Sequence, residues 1–160
     1  MVITMKKILA VIIALVLSLS FSACSGKGNE KAPDSSSTSV VGEVITAEIP
    51  DEWGLVTSTE MTGTGGADFI CHSKKYELGD PYLQITKDNR DIAAVQTVLE
   101  SEKTFGTYTG TSELGGATWY IAENAAATLI DGKVCLVRGY ECDFGSDEVH
   151  AILGSLRWAE

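Results

Sequence analysis

The chain has only two histidines, His72 and His150, among 160 residues, and that scarcity narrows its chemistry. Nucleophilic catalysis needs a hydroxyl or thiol beside a base that is itself oriented. No G-x-S-x-G elbow is present to expose a serine. His72 falls in DFICHS on the strand face opposite Phe69 and Cys71, and His150 sits beside the apolar stripe of the last helix; both are predicted to be structural. The four cysteines form no C-x-x-C pair, and no H-x-x-x-H accompanies them, so no local motif holds two metal ligands together. Basic side chains are also few. Residues 43–160 carry eight Lys and Arg against twenty Asp and Glu, a formal charge of −12. Such a body is repelled by phosphate backbones and anionic headgroups, which excludes nucleic acid as a partner. Its simplest use is solubility.

No apolar run is long enough to remain as a membrane span. Residues 8–23 number 16 and include Ser18 and Ser20, whereas a spanning helix needs roughly 20. What is there instead is a leader: Lys6 and Lys7, the uncharged ILAVIIALVLSL from Ile8 to Leu19, then the small residues Ser22 and Ala23. That is the layout of a secretory signal peptide. Cys24 follows directly, and the sequence Phe21-Ser22-Ala23-Cys24 resembles the lipobox of bacterial lipoproteins, with Phe21 where an aliphatic residue is usual. The resemblance implies a diacylglyceryl group on the Cys24 sulfur and cleavage before it, leaving a lipid-anchored protein on the extracytoplasmic face of a bacterial membrane. Two or more acyl chains, at ~0.8 kcal/mol per buried methylene, hold a protein firmly where one does not.

After Cys24 the stretch SGKGNEKAPDSSSTSVVG, Ser25 to Gly42, is polar and Ser-rich. It is predicted to be a disordered tether, because it cannot bury enough apolar surface to offset ordering. The expected organisation is a signal peptide over 1–23, a lipidated cysteine and tether over 24–42, and one folded domain over 43–160.

Within that domain, VITAEI, LVTSTE, DFICHS and YLQITK read as strands, with Gly63, Gly65 and Gly66 marking a tight turn. Asp91 opens DIAAVQTVLESEK, in which Ile92, Val95, Val98 and Leu99 recur at helical spacing. Three further strand candidates follow, and Asp131-Gly132 gives a hairpin signal before KVCLVRGYEC. Ser146 is the predicted cap of a last helix, SDEVHAILGSLRW. The predicted class is α+β, an antiparallel sheet of about six to eight strands with two packed helices.

Four short motifs carry a second resemblance: Ile49-Pro50-x-x-Trp53, Gly115-Gly116-Ala117-x-Trp119-Tyr120, Asp131-Gly132-Lys133 and Ile152-Leu153-x-Ser155-Leu156. Together they resemble the PsbP-like and Mog-like fold group, which includes extrinsic photosystem subunits, Ran-binding proteins and small bacterial lipoproteins. That likeness implies a binding or accessory role. It brings no catalytic constellation and no site residues to this chain.

Candidate site residues remain. Outside the cytoplasm Cys71 could pair with Cys135 or Cys142, the alternative being three reduced, buried thiols. Trp119 and Tyr120 point to opposite faces of a strand; the outward one, with Trp53 or Tyr82, could stack on a glycan or grip a protein, against the alternative of plain packing. Three look-alikes fail on context. Gly63-Thr64-Gly65-Gly66 precedes a strand and is followed by no Lys-Ser/Thr, Asp143-Phe144-Gly145 stands in a domain too small for a kinase, and Asp88-Asn89-Arg90-Asp91 lacks the glycine and terminal Glu of a calcium loop. No cofactor is predicted. The expected function is a membrane-anchored, non-enzymatic module binding an envelope protein or glycan. The alternatives are a small hydrolase using two carboxylates roughly 5 to 10 Å apart, or a metal or redox module built on Cys71, His72, Cys135 and Cys142.

Overall fold

The computed structural model describes residues 36–73, 76–101 and 103–160. The leader, Cys24 and the first part of the stretch read as a tether lie outside the described residues. In chain order the elements are β1 (Ser37–Val41), β2 (Ile45–Pro50), β3 (Gly54–Thr57), α1 (Ser58–Thr62), β4 (Ala67–Cys71), β5 (Tyr82–Asp88), α2 (Ile92–Glu100), β6 (Tyr108–Leu114), β7 (Ala117–Ala122), β8 (Ala125–Ile130), β9 (Lys133–Tyr140), α3 (Asp147–Ser155) and β10 (Arg157–Trp158). They build a three-stranded sheet, β1-β2-β10, and a seven-stranded sheet, β3-β4-β5-β9-β8-β7-β6. Every pairing is antiparallel. The α+β class therefore holds, with two sheets rather than one.

Local chemistry explains most boundaries. Asp131 and Gly132 both take positive φ, 49° and 74°, at the β8–β9 turn, the combination a two-residue hairpin requires. Asp91 caps α2 by accepting the Ala94 amide at 2.7 Å, and Ser146 caps α3 by accepting that of Val149.

Three expectations need correction. Ser37–Val41, predicted as tether, is strand β1 and pairs with β2 from Ser37↔Pro50 to Val41↔Thr46; its Thr and Val residues favour extended backbone once an open edge is offered. The LVTSTE strand ends at Thr57, because Thr57 and Glu60 form a capping box that starts α1. There the Glu60 carboxylate accepts the Thr57 amide at 2.8 Å. The last helix ends at Ser155, and Arg157–Trp158 turn into β10 against Thr46 and Ile45. The Ser155 hydroxyl accepts the Glu48 amide of β2 at 2.9 Å, which turns the chain out of the helix.

Directly paired residues share a face of a sheet, so the register defines two sides of the large sheet. One side carries Ile70, Leu83, Ile85, Val137, Ala126 and Ile121, packed with Ile45, Ala47 and Ile49 of β2 and with Val149, Ile152 and Leu153 of α3. The opposite side carries Leu136, Ala125 and Ala127 under Val95 and Leu99 of α2. At the β6–β7 turn the backbone nearly touches α3: a Cβ on Gly115, whose φ is +60°, would lie 1.8 Å from the Gly154 carbonyl oxygen. Only glycine fits there.

The small sheet is bound to the large one through Asp68 of β4, which is fully buried. Oδ1 accepts the Glu43 amide at 2.9 Å, and Oδ2 accepts the amides of Val44 at 2.7 Å and Ile45 at 2.9 Å. Gly42 leaves room for this, since a Cβ there would come within 2.4 Å of the carboxylate. Next to it, the Glu43 carboxylate accepts from the Thr59 and Ser58 hydroxyls and the Gly66 amide.

Asp68→Ala strands three amides, each orphan costing roughly 1–3 kcal/mol. Its urea midpoint is expected to show a stability loss of about 3 kcal/mol or more; a loss below ~1 kcal/mol contradicts the clamp. The Thr59 hydroxyl, more than the Gly66 and Ser58 groups, holds the Glu43 carboxyl below the usual carboxylate range against the opposing effect of burial. Glu43 thus stabilises the fold at pH above that range, and the contribution disappears as pH falls through the lowered value. Melting temperatures of wild type and Glu43→Gln should differ at neutral pH and converge in acid; a constant difference across the range would contradict it.

Candidate functional site

Each of the residues read from the sequence as candidates has a definite place. Trp53 is 4 % exposed and donates its indole N–H to Glu148 Oε1 at 2.7 Å. Trp119 is 1 % exposed among the β2 and α3 side chains. Tyr120 is half-buried against the α2 cluster. Trp53 and Trp119 are thus enclosed, while Tyr120 keeps part of its surface open to solvent. Trp119 points into the core, whereas Tyr120 shares its strand face with the exposed Thr118.

Among the described residues Cys71, Cys135 and Cys142 are free thiols. Cys71 shares a face with Tyr82 and Tyr140, whereas Cys135 lies five positions before Tyr140 on β9 and so points to the other side. The sheet itself stands between them, and the Cys71–Cys135 pairing is out of reach. Cys142 lies just past β9 and donates its thiol to the carbonyls of Tyr82 at 3.3 Å and Tyr140 at 3.4 Å. Burial, helped by the Asp80 charge, pushes the Cys71 thiol up to about 11. Burial alone pushes Cys135 up to about 12. Burial, with Cys71 and the acids Glu148 and Glu141 adding to it, pushes Cys142 up to about 11. The thiolate is the nucleophile and the metal ligand, so all three are held in the inert form.

The cavity richest in reactive groups, about 270 Å³, brings together His72, Cys142, Asp143 and Glu148 beside Trp53. Their chemistry is already engaged. The Cys142 thiol is aimed at backbone carbonyls, Glu148 holds the Trp53 indole, and Asp143 accepts the Gly145 amide at 2.8 Å in the turn before α3. His72 is exposed and meets Trp53 edge-on at 5.0 Å. His150, on α3, has its Nε2 buried with no partner among the described residues. Also among the described residues, no group of three His, Cys, Asp or Glu side chains is arranged to hold a metal ion. Of the look-alike motifs, Asp88 pairs with Arg90 at 2.6 Å beside the Asp91 cap, and Gly63 closes α1.

A different set of aromatics is partly open: Phe69 is buried, Tyr76 and Tyr82 are half-buried, and Tyr140 is exposed. On the side of the large sheet that α2 partly covers, the helix lies over β7 and β8. The β3-β4-β5 half has no helix laid across it, only the short α1 at its border and the connection from β4 to β5. There the register lines up Cys71, Tyr82 and Tyr140 across three strands, with Phe69 and Val56 in the next row. Tyr82 is the hub. Its ring centroid lies 5.8 Å from Phe69 and 5.9 Å from Tyr76, both edge-to-face, and 5.6 Å from Tyr140 in a stacked pair. Burial, then the neighbouring Tyr76 and Tyr140 hydroxyls, raises the Tyr82 phenol above its ordinary value, so it remains a neutral donor.

Two cavities meet at Tyr76. One, about 290 Å³, is lined by Tyr76, Leu78, Gly79, Tyr82 and Tyr140; the other, about 470 Å³, by Val56, Glu60, Met61, Tyr76 and Glu77. Tyr140 is 45 % exposed and Leu78 is 97 % exposed. The sequence reading included Tyr82 but missed Tyr76 and Tyr140. No local signal joins Tyr82 to Tyr140, because the two meet only when β5 pairs with β9, more than fifty residues later.

At pH 8 a thiol with a pKa of about 11 is roughly one part in a thousand thiolate, against about a quarter for an unperturbed cysteine. Iodoacetamide is therefore expected to label Cys71, Cys135 and Cys142 of the native protein ~100-fold or more slowly than in denaturant, as read by peptide mass spectrometry. Rapid native labelling of Cys142 at pH 8 would contradict the assignment. No protein-family model matches the chain, and no curated protein or solved structure matches it either.

Proposed function

We propose that this protein is a lipid-anchored, non-catalytic binding module on the extracytoplasmic face of a bacterial membrane, with the Tyr76–Tyr82–Tyr140 groove as its ligand face. The observation that carries the reading is the groove. It is a connected aromatic cluster, half-buried at Tyr76 and Tyr82 and exposed at Tyr140, and partly open aromatic surface of this kind suits an interaction site. The placement at a membrane is supported by the sequence alone, through the basic and apolar leader and the lipobox-like Phe21-Ser22-Ala23-Cys24.

The finer likeness to the PsbP-like and Mog-like group belongs to the same proposal. Three of its four motifs fall at joints of the fold, Pro50 to Trp53 between β2 and β3, Gly115–Ala117 at the turn where β7 begins, and Asp131–Lys133 at the β8–β9 turn, and the fourth, Ile152 to Leu156, lies along the end of α3. An accessory or binding role agrees with a domain whose three described thiols are held protonated.

Two linked measurements test this. Cys24→Ala is expected to move the protein from the membrane pellet to the soluble fraction after a high-salt wash, and intact mass of the native protein should show the lipid on Cys24. Retention of the variant in the pellet would remove the anchor. For the ligand face, a photo-crosslinking residue at position 140 is expected to capture an envelope component in cells, and the same probe at Lys133 to capture much less. Equal capture at both positions would contradict the assignment of the groove.

A further inference from the structure

We propose that the Tyr76–Tyr82–Tyr140 groove takes a small alkylated ammonium cation. The inference rests on the groove being the ligand face and specifies what it recognises. Aromatic faces carry negative quadrupole charge and attract a cation within about 6 Å of the ring centroid, more strongly when it is partly desolvated. Here Tyr76 and Tyr82 are inclined at 76° with centroids 5.9 Å apart, while Tyr140 lies 20° from the Tyr82 plane at 5.6 Å. These contacts bring the three rings together, and all three line one cavity of about 290 Å³, so a rounded cation entering it meets more than one ring.

Two carboxylates stand close to the rings. Glu60 and Glu77 line the adjoining cavity, and among the described residues neither cavity is lined by a Lys or Arg. Among the described residues Arg138 is the nearest cation by register, one row along β9 from Tyr140, and its guanidinium lies 5.8 Å from the Phe105 ring. Lys74 and Lys75 belong to the same β4–β5 connection and lie outside the described residues; the protein carries their charge in any titration. The rest of the domain adds long-range attraction, at −12 overall.

Shape narrows the class further. The lining beside the tyrosines is apolar, from Val56, Met61 and Leu78. A small hydrated metal ion gains little from such walls, because it needs oxygen ligands in number. An anion is opposed by Glu60 and Glu77. An ammonium centre dressed with methyl or alkyl groups matches both features: its charge meets the rings and carboxylates, and its carbon substituents cover the apolar lining.

The test uses the detergent-solubilised full chain and ligand-observed NMR, with choline as the probe and 3,3-dimethylbutan-1-ol as its uncharged isostere. Choline is expected to bind saturably, and the isostere about tenfold more weakly or not at all. Tyr140→Ala should weaken choline about tenfold, Tyr140→Phe should leave it within about twofold, and Glu77→Gln should weaken it several-fold while reducing its dependence on salt. Circular dichroism melts establish that the variants are folded, and Tyr140→Phe keeps the ring whatever happens to Tyr140→Ala. Equal binding of the uncharged isostere would overturn cation recognition in favour of a plain apolar pocket. Saturable N-acetylglucosamine binding without choline binding would overturn it in favour of a glycan, and silence of every probe would overturn it outright. Any of these results with crosslinking at position 140 intact leaves the binding-module reading standing, whereas choline binding without Cys24-dependent membrane retention removes the anchor alone.

Discussion

Asp68 holds the two sheets of this protein together. A carboxylate on β4, removed from water, accepts three consecutive backbone amides from the segment that leads into β2. Bonds to an ionised acceptor are among the stronger ones available to a protein, and three on one side chain fix both the position and the direction of the incoming strand. Glycine at position 42 is part of the same device, because any larger residue would collide with the carboxylate. Once β2 is seated, its Ile45, Ala47 and Ile49 complete one side of the core with α3. The indole of Trp158 on β10 then donates to the Ile130 carbonyl at 2.6 Å, binding the small sheet to the far hairpin.

That clamp makes the molecule two-sided. One side of the large sheet is closed by β2 and α3, and the other is closed by α2 only over β7 and β8. A nine-residue helix is about 13 Å long at 1.5 Å per residue, whereas seven strands spaced ~4.8 Å apart span roughly 29 Å between the outer two. A single helix of that length leaves part of the sheet bare. That part is closed by aromatic rings instead: Phe69 and Cys71 are buried with Met61, Tyr76 and Tyr82 packed against them, and Tyr140 stays exposed. The groove is therefore a consequence of how the sheet is covered, and its aromatic lining is what distinguishes it from ordinary solvated sheet.

Much of the fold was legible in the sequence wherever the signal was local. The Asp131-Gly132 turn, the Asp91 and Ser146 caps, the Val95 and Leu99 stripe and the β-branched runs each declare themselves within a few residues. The same reasoning went astray where two local rules competed. In LVTSTE the β-prone residues spoke for a strand, yet the Thr57–Glu60 capping box starts a helix three residues earlier than alternation would end. In SSSTSVVG the serines spoke for disorder, and the open edge of β2, which no local pattern can announce, recruited Ser37–Val41. Site residues suffered most from this. Trp53, Trp119 and Tyr120 attract attention as large aromatics, but which face of a strand is covered depends on elements far away in the chain. Tyr82 and Tyr140 become neighbours only through the β5–β9 pairing.

Native-state hydrogen exchange at the amides of Glu43, Val44 and Ile45 tests the clamp most directly. If the Asp68 carboxylate holds these three groups, they exchange only through global unfolding, with protection equal to that of the Ile85 and Val137 amides in the centre of the large sheet. Exchange of all three at the rate of a fraying edge, with Ile85 and Val137 still protected, would mean that the small sheet detaches freely. The union of the two sheets through Asp68 would then be wrong.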